Sequence, residues 1–282
     1  MRPDRVRSVL YLPASNARAI EKARTLACDV AILDLEDAVA PQAKADARAA
    51  AVEAVRGGGF GPRLGVRING LDTDWGLDDL AAMKAAGATL VVAPKVETPE
   101  TVHALSAGLA RGSALWAMIE TPRALMALAD IAAADGALDG LMLGVNDLAK
   151  TLGIRALGTG ASADREPFKP WLAMLVAAAR ANGLLAIDGV FNRIDDAEGL
   201  AAEALQGRLY GFDGKSLIHP SQIAGANAAF SPSDAEIARA RAIVAAFAPP
   251  DAEGQGAIRV DGAMVERLHL EQAQALLVRA QG

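Results

Sequence analysis

The chain has one cysteine, Cys28, and three histidines, His103, His219 and His269, among 282 residues. A lone cysteine excludes an intrachain disulfide and a Cys-rich metal cluster, and fits a reducing compartment. Three scattered histidines argue against a His-rich zinc site. The 28 Lys and Arg are outnumbered by 34 Asp and Glu, giving a net charge of −6. No broad basic field is left to hold a phosphate backbone, so nucleic acid is not an expected partner. Nowhere do about 18 apolar residues run on without Gly or charge, which argues against a membrane span. The apolar run after the charged N-terminus, Val9 to Leu12, is too brief for a signal-peptide core, so a cytoplasmic location is expected.

With 52% hydrophobic residues the chain can bury one large core. Short β-branched and Leu-rich runs alternate with longer Ala-rich segments of helical period, the pattern of βα units around a parallel sheet. Eight runs are expected as strands: Ser8–Leu12, Val30–Leu35, Leu64–Ile68, Thr89–Ala93, Leu115–Ile119, Gly140–Leu143, Leu184–Ile187 and a weaker one at Arg208–Gly211. They predict an α/β fold, a (β/α)₈ TIM barrel over residues 1–230. A doubly wound open sheet fits the alternation too, but the chain carries no GxGxxG or Walker A pattern. From residue 231 the texture changes. Ser231-Pro232-Ser233-Asp234 opens a helix to Phe247, a Pro- and Gly-rich loop follows, and a last helix runs from about Leu268 to Arg279. Residues 231–282 are expected to be a helical, lid-like extension.

In such a barrel the functional groups sit at the C-terminal ends of the strands. Asp34, Glu36 and Asp37 follow strand two, Arg67 and Asn69 strand three, and Lys95 strand four. Glu120 follows strand five, Asn146 and Asp147 strand six, Asp188 strand seven, and Asp213 and Lys215 the last strand. Glu120 and Asp147 together suit the oxygen-only coordination of Mg²⁺. The competing reading makes each a cap or first-turn charge of the helix it precedes. Arg67, with Asn69-Gly70 turning behind it, offers a rigid fork for a carboxylate or enolate, or pairs with Glu36 or Asp37.

Several long stretches, in order, resemble the citrate lyase β-subunit-like branch of the HpcH/HpaI aldolase superfamily, which includes malyl-CoA and citramalyl-CoA lyases. They are Arg7–Pro13, Ile32–Val39 with Lys44, Val66–Asn69, Met118–Arg123, Gly144–Leu148, and Gly211–Lys215 through Ile218–Gln222. The resemblance implies that Glu120 and Asp147 bind Mg²⁺, that Arg67 binds the oxo acid or thioester carbonyl, and that Arg18 and Lys44 contact CoA phosphates. It implies carbon–carbon cleavage, or the reverse condensation, of a carboxylated 3-hydroxyacyl-CoA such as malyl-, citramalyl- or citryl-CoA. Other readings are a thioesterase at the same site, a lyase subunit dependent on an acyl carrier, and an aldolase acting on free acids. It further implies a homotrimer or homohexamer in which a lid Asp completes a neighbour's site. Here Met264-Val265-Glu266 places Glu where that Asp is expected, with no proline after it, so Glu266 is the acid–base candidate or else a charge at a helix N-terminus. Pro13-Ala14-Ser15-Asn16-Ala17-Arg18 also departs from relatives that carry Gly and a further Arg in this loop. His219, before Pro220, is read equally as organising the final loop or as a titrating group, and is not assigned as a base.

Overall fold

A computed structural model describes residues 6–155, 165–249 and 254–281. The N-terminal residues 1–5 and the Pro250-Asp251 part of the expected loop lie outside them. The described chain forms two compact units, residues 6–230 and residues 231–281.

The first unit is a closed barrel of eight parallel strands in sequence order, β1 (Ser8–Pro13), β2 (Val30–Asp34), β3 (Arg63–Arg67), β4 (Leu90–Ala93), β5 (Ala114–Ile119), β6 (Leu138–Leu143), β7 (Leu185–Asp188) and β8 (Gly214–Leu217). Side chains alternate along each strand. One set, including Val9, Val30, Ile32, Val92, Trp116, Met142 and Ile187, fills the barrel. The other, including Leu10, Leu33, Val66, Val91 and Leu141, packs under the helices. Burial on both faces is why these strands read as unbroken apolar runs.

The helices α1 (Ala17–Ala23), α2 (Lys44–Gly57), α3 (Gly76–Ala86), α4 (Pro99–Gly108), α5 (Pro122–Met126), α6 (Leu128–Ala132), α7 (Val145–Thr151), α8 (Lys169–Ala181), α9 (Ala197–Tyr210) and α10 (Ile223–Phe230) complete this unit. Asn16 caps α1, its Oδ1 accepting the Ala19 N–H at 3.1 Å. Among the described residues no helix is long and apolar enough to cross a membrane.

The expected eighth strand is corrected. Residues 208–210 are the last turn of α9, which Gly211 ends in the left-handed region at φ 97°. The strand that closes the barrel against β1 is Gly-Lys-Ser-Leu, residues 214–217, too polar to show as an apolar run.

In the second unit, α11 (Asp234–Phe247) starts at a reciprocal capping box between Ser233 and Glu236. An antiparallel hairpin of β9 (Ala257–Val260) and β10 (Ala263–Glu266) leads into α12 (Arg267–Gln281). Ile243, Phe247, Val260 and Val265 form its own small core.

Candidate active site

Parallel register places Asp34, the last residue of β2, beside Arg67, the last of β3. Arg67 Nε and Nη2 donate to Asp34 Oδ1 and Oδ2 at 2.7 and 2.6 Å, and Nη1 lies 2.9 Å from Glu36 Oε2. Such a two-pronged pair fixes the plane of the guanidinium. Asp34 is held in turn by the backbone N–H groups of Glu36 and Ala38. The Tyr11 ring backs the guanidinium, 4.8 Å from its carbon. Glu36 also accepts from the Lys95 ammonium.

Glu120 follows β5, and the Lys95 backbone N–H donates to its Oε1 at 2.9 Å. Its carboxyl is pushed up to about 7 by burial and by the negative charge of Glu36, against the pull of Lys95 and Arg67. Burial likewise raises Glu36 against the opposing charge of Arg67 and the hydrogen bond from Lys95. Arg67 is buried too, yet its hydrogen bonds and charge pairing with Asp34, with help from Tyr11 and Glu36, hold it well above its ordinary value.

Arg67, Glu120 and Asp147 line one cavity of about 360 Å³ at the C-terminal end of the barrel, together with Tyr11, Asp34 and Met118. Neither carboxylate caps a helix, but Asp147 is the acidic residue in the first turn of α7, as the competing reading had it. Thr121 is the N-cap of α5, its hydroxyl accepting the Ala124 N–H at 3.1 Å, and α7 begins at Val145 without a side-chain cap. Among the described residues, Glu120 Oε2 and the Asp147 carboxylate accept no hydrogen bond. Two carboxylates so placed fit a hard divalent cation that fills its remaining positions with water and substrate. No group of three or more His, Cys, Asp or Glu that could hold a metal occurs among the described residues.

The other expected site residues fall elsewhere. Lys44 is buried rather than exposed, and its ammonium donates to Leu35 O, Glu36 O and Asn69 Oδ1 at 2.8, 2.7 and 2.7 Å. With all three protons used, it pins the loop after β2 and has none to offer a CoA phosphate. Arg18 is exposed in the first turn of α1. Glu266 is exposed at the end of β10, immediately before α12, and its backbone N–H donates to His269 Nδ1 at 2.9 Å. Two residues placed on the rim by sequence are not there. Asp213 precedes β8 and pairs with Arg180, while Lys215 is fully buried against Asp188 and Glu203. His219 caps the short helical turn at Pro220–Gln222 by accepting the Ser221 N–H, the organising role that was one of its two readings.

Two contributors escaped the sequence reading. Gly144 lies against Glu120 so closely that a Cβ would meet its Oε2 at 2.3 Å. Arg165, far along the chain, pairs with Asp188 at 2.6 Å behind the site. The Gly144-Val145-Asn146-Asp147 run could have pointed to the first; nothing local points to the second.

Residues 7–220 match the HpcH/HpaI aldolase/citrate lyase family. The chain is 46% identical over 276 residues to a (3S)-malyl-CoA thioesterase of Cereibacter sphaeroides, covering 98% of this chain and 94% of that protein. It is 35% identical over 305 aligned positions to an L-malyl-CoA/beta-methylmalyl-CoA lyase of the same species, covering 99% and 95%. Among solved structures it resembles CitE from Mycobacterium tuberculosis in complex with magnesium, acetoacetate and coenzyme A, with a TM-score of 0.83, 36% identity and 98% of each chain covered.

Proposed function

The chain belongs to the HpcH/HpaI aldolase/citrate lyase family, and from that premise we propose that it is a Mg²⁺-dependent hydrolase of carboxylated 3-hydroxyacyl-CoA thioesters, malyl-CoA first among them. The observation that carries the reading is the single cavity in which two carboxylates with unused oxygens, Glu120 and Asp147, face a fixed Arg67. Identity of 46% to thioesterases against 35% to lyases favours hydrolysis over the carbon–carbon cleavage that the sequence put first.

Glu120 and Asp147 are the residues that would hold Mg²⁺. When bound, the ion supplies Lewis-acid polarisation and neutralises developing negative charge. Arg67 orients the substrate carboxylate or the thioester carbonyl, with Asp34, Glu36 and Tyr11 keeping its plane fixed. In hydrolysis a water oxygen bonds to the thioester carbon, the carbon–sulfur bond breaks, and the departing thiolate takes up a proton. Glu266 is the acid–base carboxylate of this reading. It is carried by residues 231–282 acting as a lid over a neighbouring subunit of a homotrimer or homohexamer. Arg18, an exposed cation on the helix after β1, is available to a CoA phosphate. Lys44 takes no part in binding.

Product analysis with malyl-CoA and Mg²⁺ tests the reaction. Free CoA with intact malate is expected; acetyl-CoA with glyoxylate would replace hydrolysis by cleavage, the reading that likeness to the L-malyl-CoA/beta-methylmalyl-CoA lyase supports. Glu120→Gln and Asp147→Asn should each lower turnover by at least about a hundredfold. Near-wild-type rates in either would remove that residue from the metal pair.

A further inference from the structure

Lys95 stands outside the groups given above to metal and substrate, yet it touches both halves of the site. Resting on the reading of Glu120 and Arg67 just given, we propose that Lys95 is a positioning residue that fixes the two against each other through separate arms, one backbone and one side chain. The backbone arm is the N–H bond to Glu120 Oε1 at 2.9 Å. The side-chain arm runs from the ammonium to Glu36 Oε1, and from Glu36 Oε2 to Arg67 Nη1 at 2.9 Å.

The path of the chain explains why one residue reaches both. Ala93 is paired with Ala117, and the next backbone bond is from Val96 N–H to Met118 O at 3.3 Å. Pro94 and Lys95 therefore lie in a bend just past the end of β4, before the chain bonds back to β5. Lys95 sits in this bend at φ 50°, a region that residues with a side chain seldom enter. Glycine enters it freely but has no ammonium. A lysine kept in this conformation satisfies both demands at once, and rare backbone angles of this kind collect at functional sites. The ammonium also lies beside the buried Glu36 carboxylate, sharing with Arg67 the neutralisation of its charge.

Three variants separate the arms. Lys95→Gly keeps the N–H and the left-handed backbone and deletes the ammonium. Lys95→Ala deletes the ammonium and, unlike glycine, does not favour the left-handed backbone. Lys95→Arg keeps a cation. Mg²⁺ affinity is measured by titration calorimetry, and KM and kcat are measured separately with malyl-CoA. Lys95→Gly should bind Mg²⁺ within about twofold of wild type while KM rises about tenfold, as loss of a supporting contact does. Lys95→Ala should weaken Mg²⁺ binding about tenfold in addition, and Lys95→Arg should bring KM back to within about threefold.

Lys95 is exposed, so all three variants should fold. If Lys95→Ala does not, the glycine and arginine variants decide the matter. Wild-type affinity and KM in Lys95→Gly and Lys95→Ala, or a defect that arginine fails to rescue, would overturn the proposal. Glu120→Gln measured alongside keeps the two readings apart. If it abolishes Mg²⁺ binding while no Lys95 effect is seen, only the positioning role falls. If it binds Mg²⁺ as wild type does, the metal reading falls, and the proposal with it.

Discussion

At Gly144 an added Cβ would lie 2.3 Å from Glu120 Oε2 and 2.4 Å from Glu120 Cβ. Turning the Glu120 side chain relieves the Oε2 contact, but its Cβ moves only with the β5 backbone, to which Gly144 is tied by its N–H bond to Ile119 O at 3.1 Å, so the backbone at Gly144 must shift as well. Its φ of −96° is open to alanine, which makes Gly144→Ala a test of space alone. The substitution should weaken Mg²⁺ binding by about ten- to a hundredfold by displacing a ligand, while overpacking costs about 1–3 kcal/mol in thermal or urea unfolding. Unchanged Mg²⁺ affinity would mean that Glu120 has room to shift without consequence. Spacing in the sequence located Glu120, Asp147 and Arg67, because strand-end position decides which way those residues face. It could not show that Lys44 turns inward, since a lysine at a helix start has the same local signature whether its ammonium meets solvent or three oxygen acceptors.

The strands place charge in pairs. Asp34 lies beside Arg67 across β2 and β3, and Asp188 lies beside Lys215 across β7 and β8. The second pair is fully buried and extends to Glu203 on α9 and to Arg165. Removing one member leaves the others charged and unpaired, so Lys215→Met should lose about 3–5 kcal/mol in urea unfolding. A loss under about 1 kcal/mol, typical of exposed pairs, would show the network to be dispensable. Asp188 sets the pH dependence of this contribution. Burial pushes its carboxyl up, but Lys215 and Arg165 overcome that and hold it below its ordinary 3.8. Its share of stability is therefore full above that value and is lost as pH falls through the depressed one. Seven strands were legible as apolar runs because the barrel buries both of their faces. The eighth was not, because it brings Lys215 and Ser216 inside.

Across the whole molecule, the second unit carries its own core of Ile243, Phe247, Val260 and Val265 and presents Glu266 at the surface. If that carboxylate serves a neighbour's cavity, Glu266→Gln should lower kcat by about 10²–10⁴-fold with Mg²⁺ affinity unchanged. Mixing it with inactive Glu120→Gln subunits should then restore part of the activity, since some sites would combine two intact halves. Failure of the mixture to recover activity, with subunit exchange confirmed, would confine each site to one chain.

Met118 belongs to the apolar set that fills the barrel and, with Tyr11, also lines the cavity. At about 360 Å³ the space admits a small acid but not the bulk of coenzyme A. On the proposed thioesterase reading the acyl end would enter ahead of the CoA moiety, and free hydroxy acid should compete with the next substrate, which inhibition of turnover by malate would check.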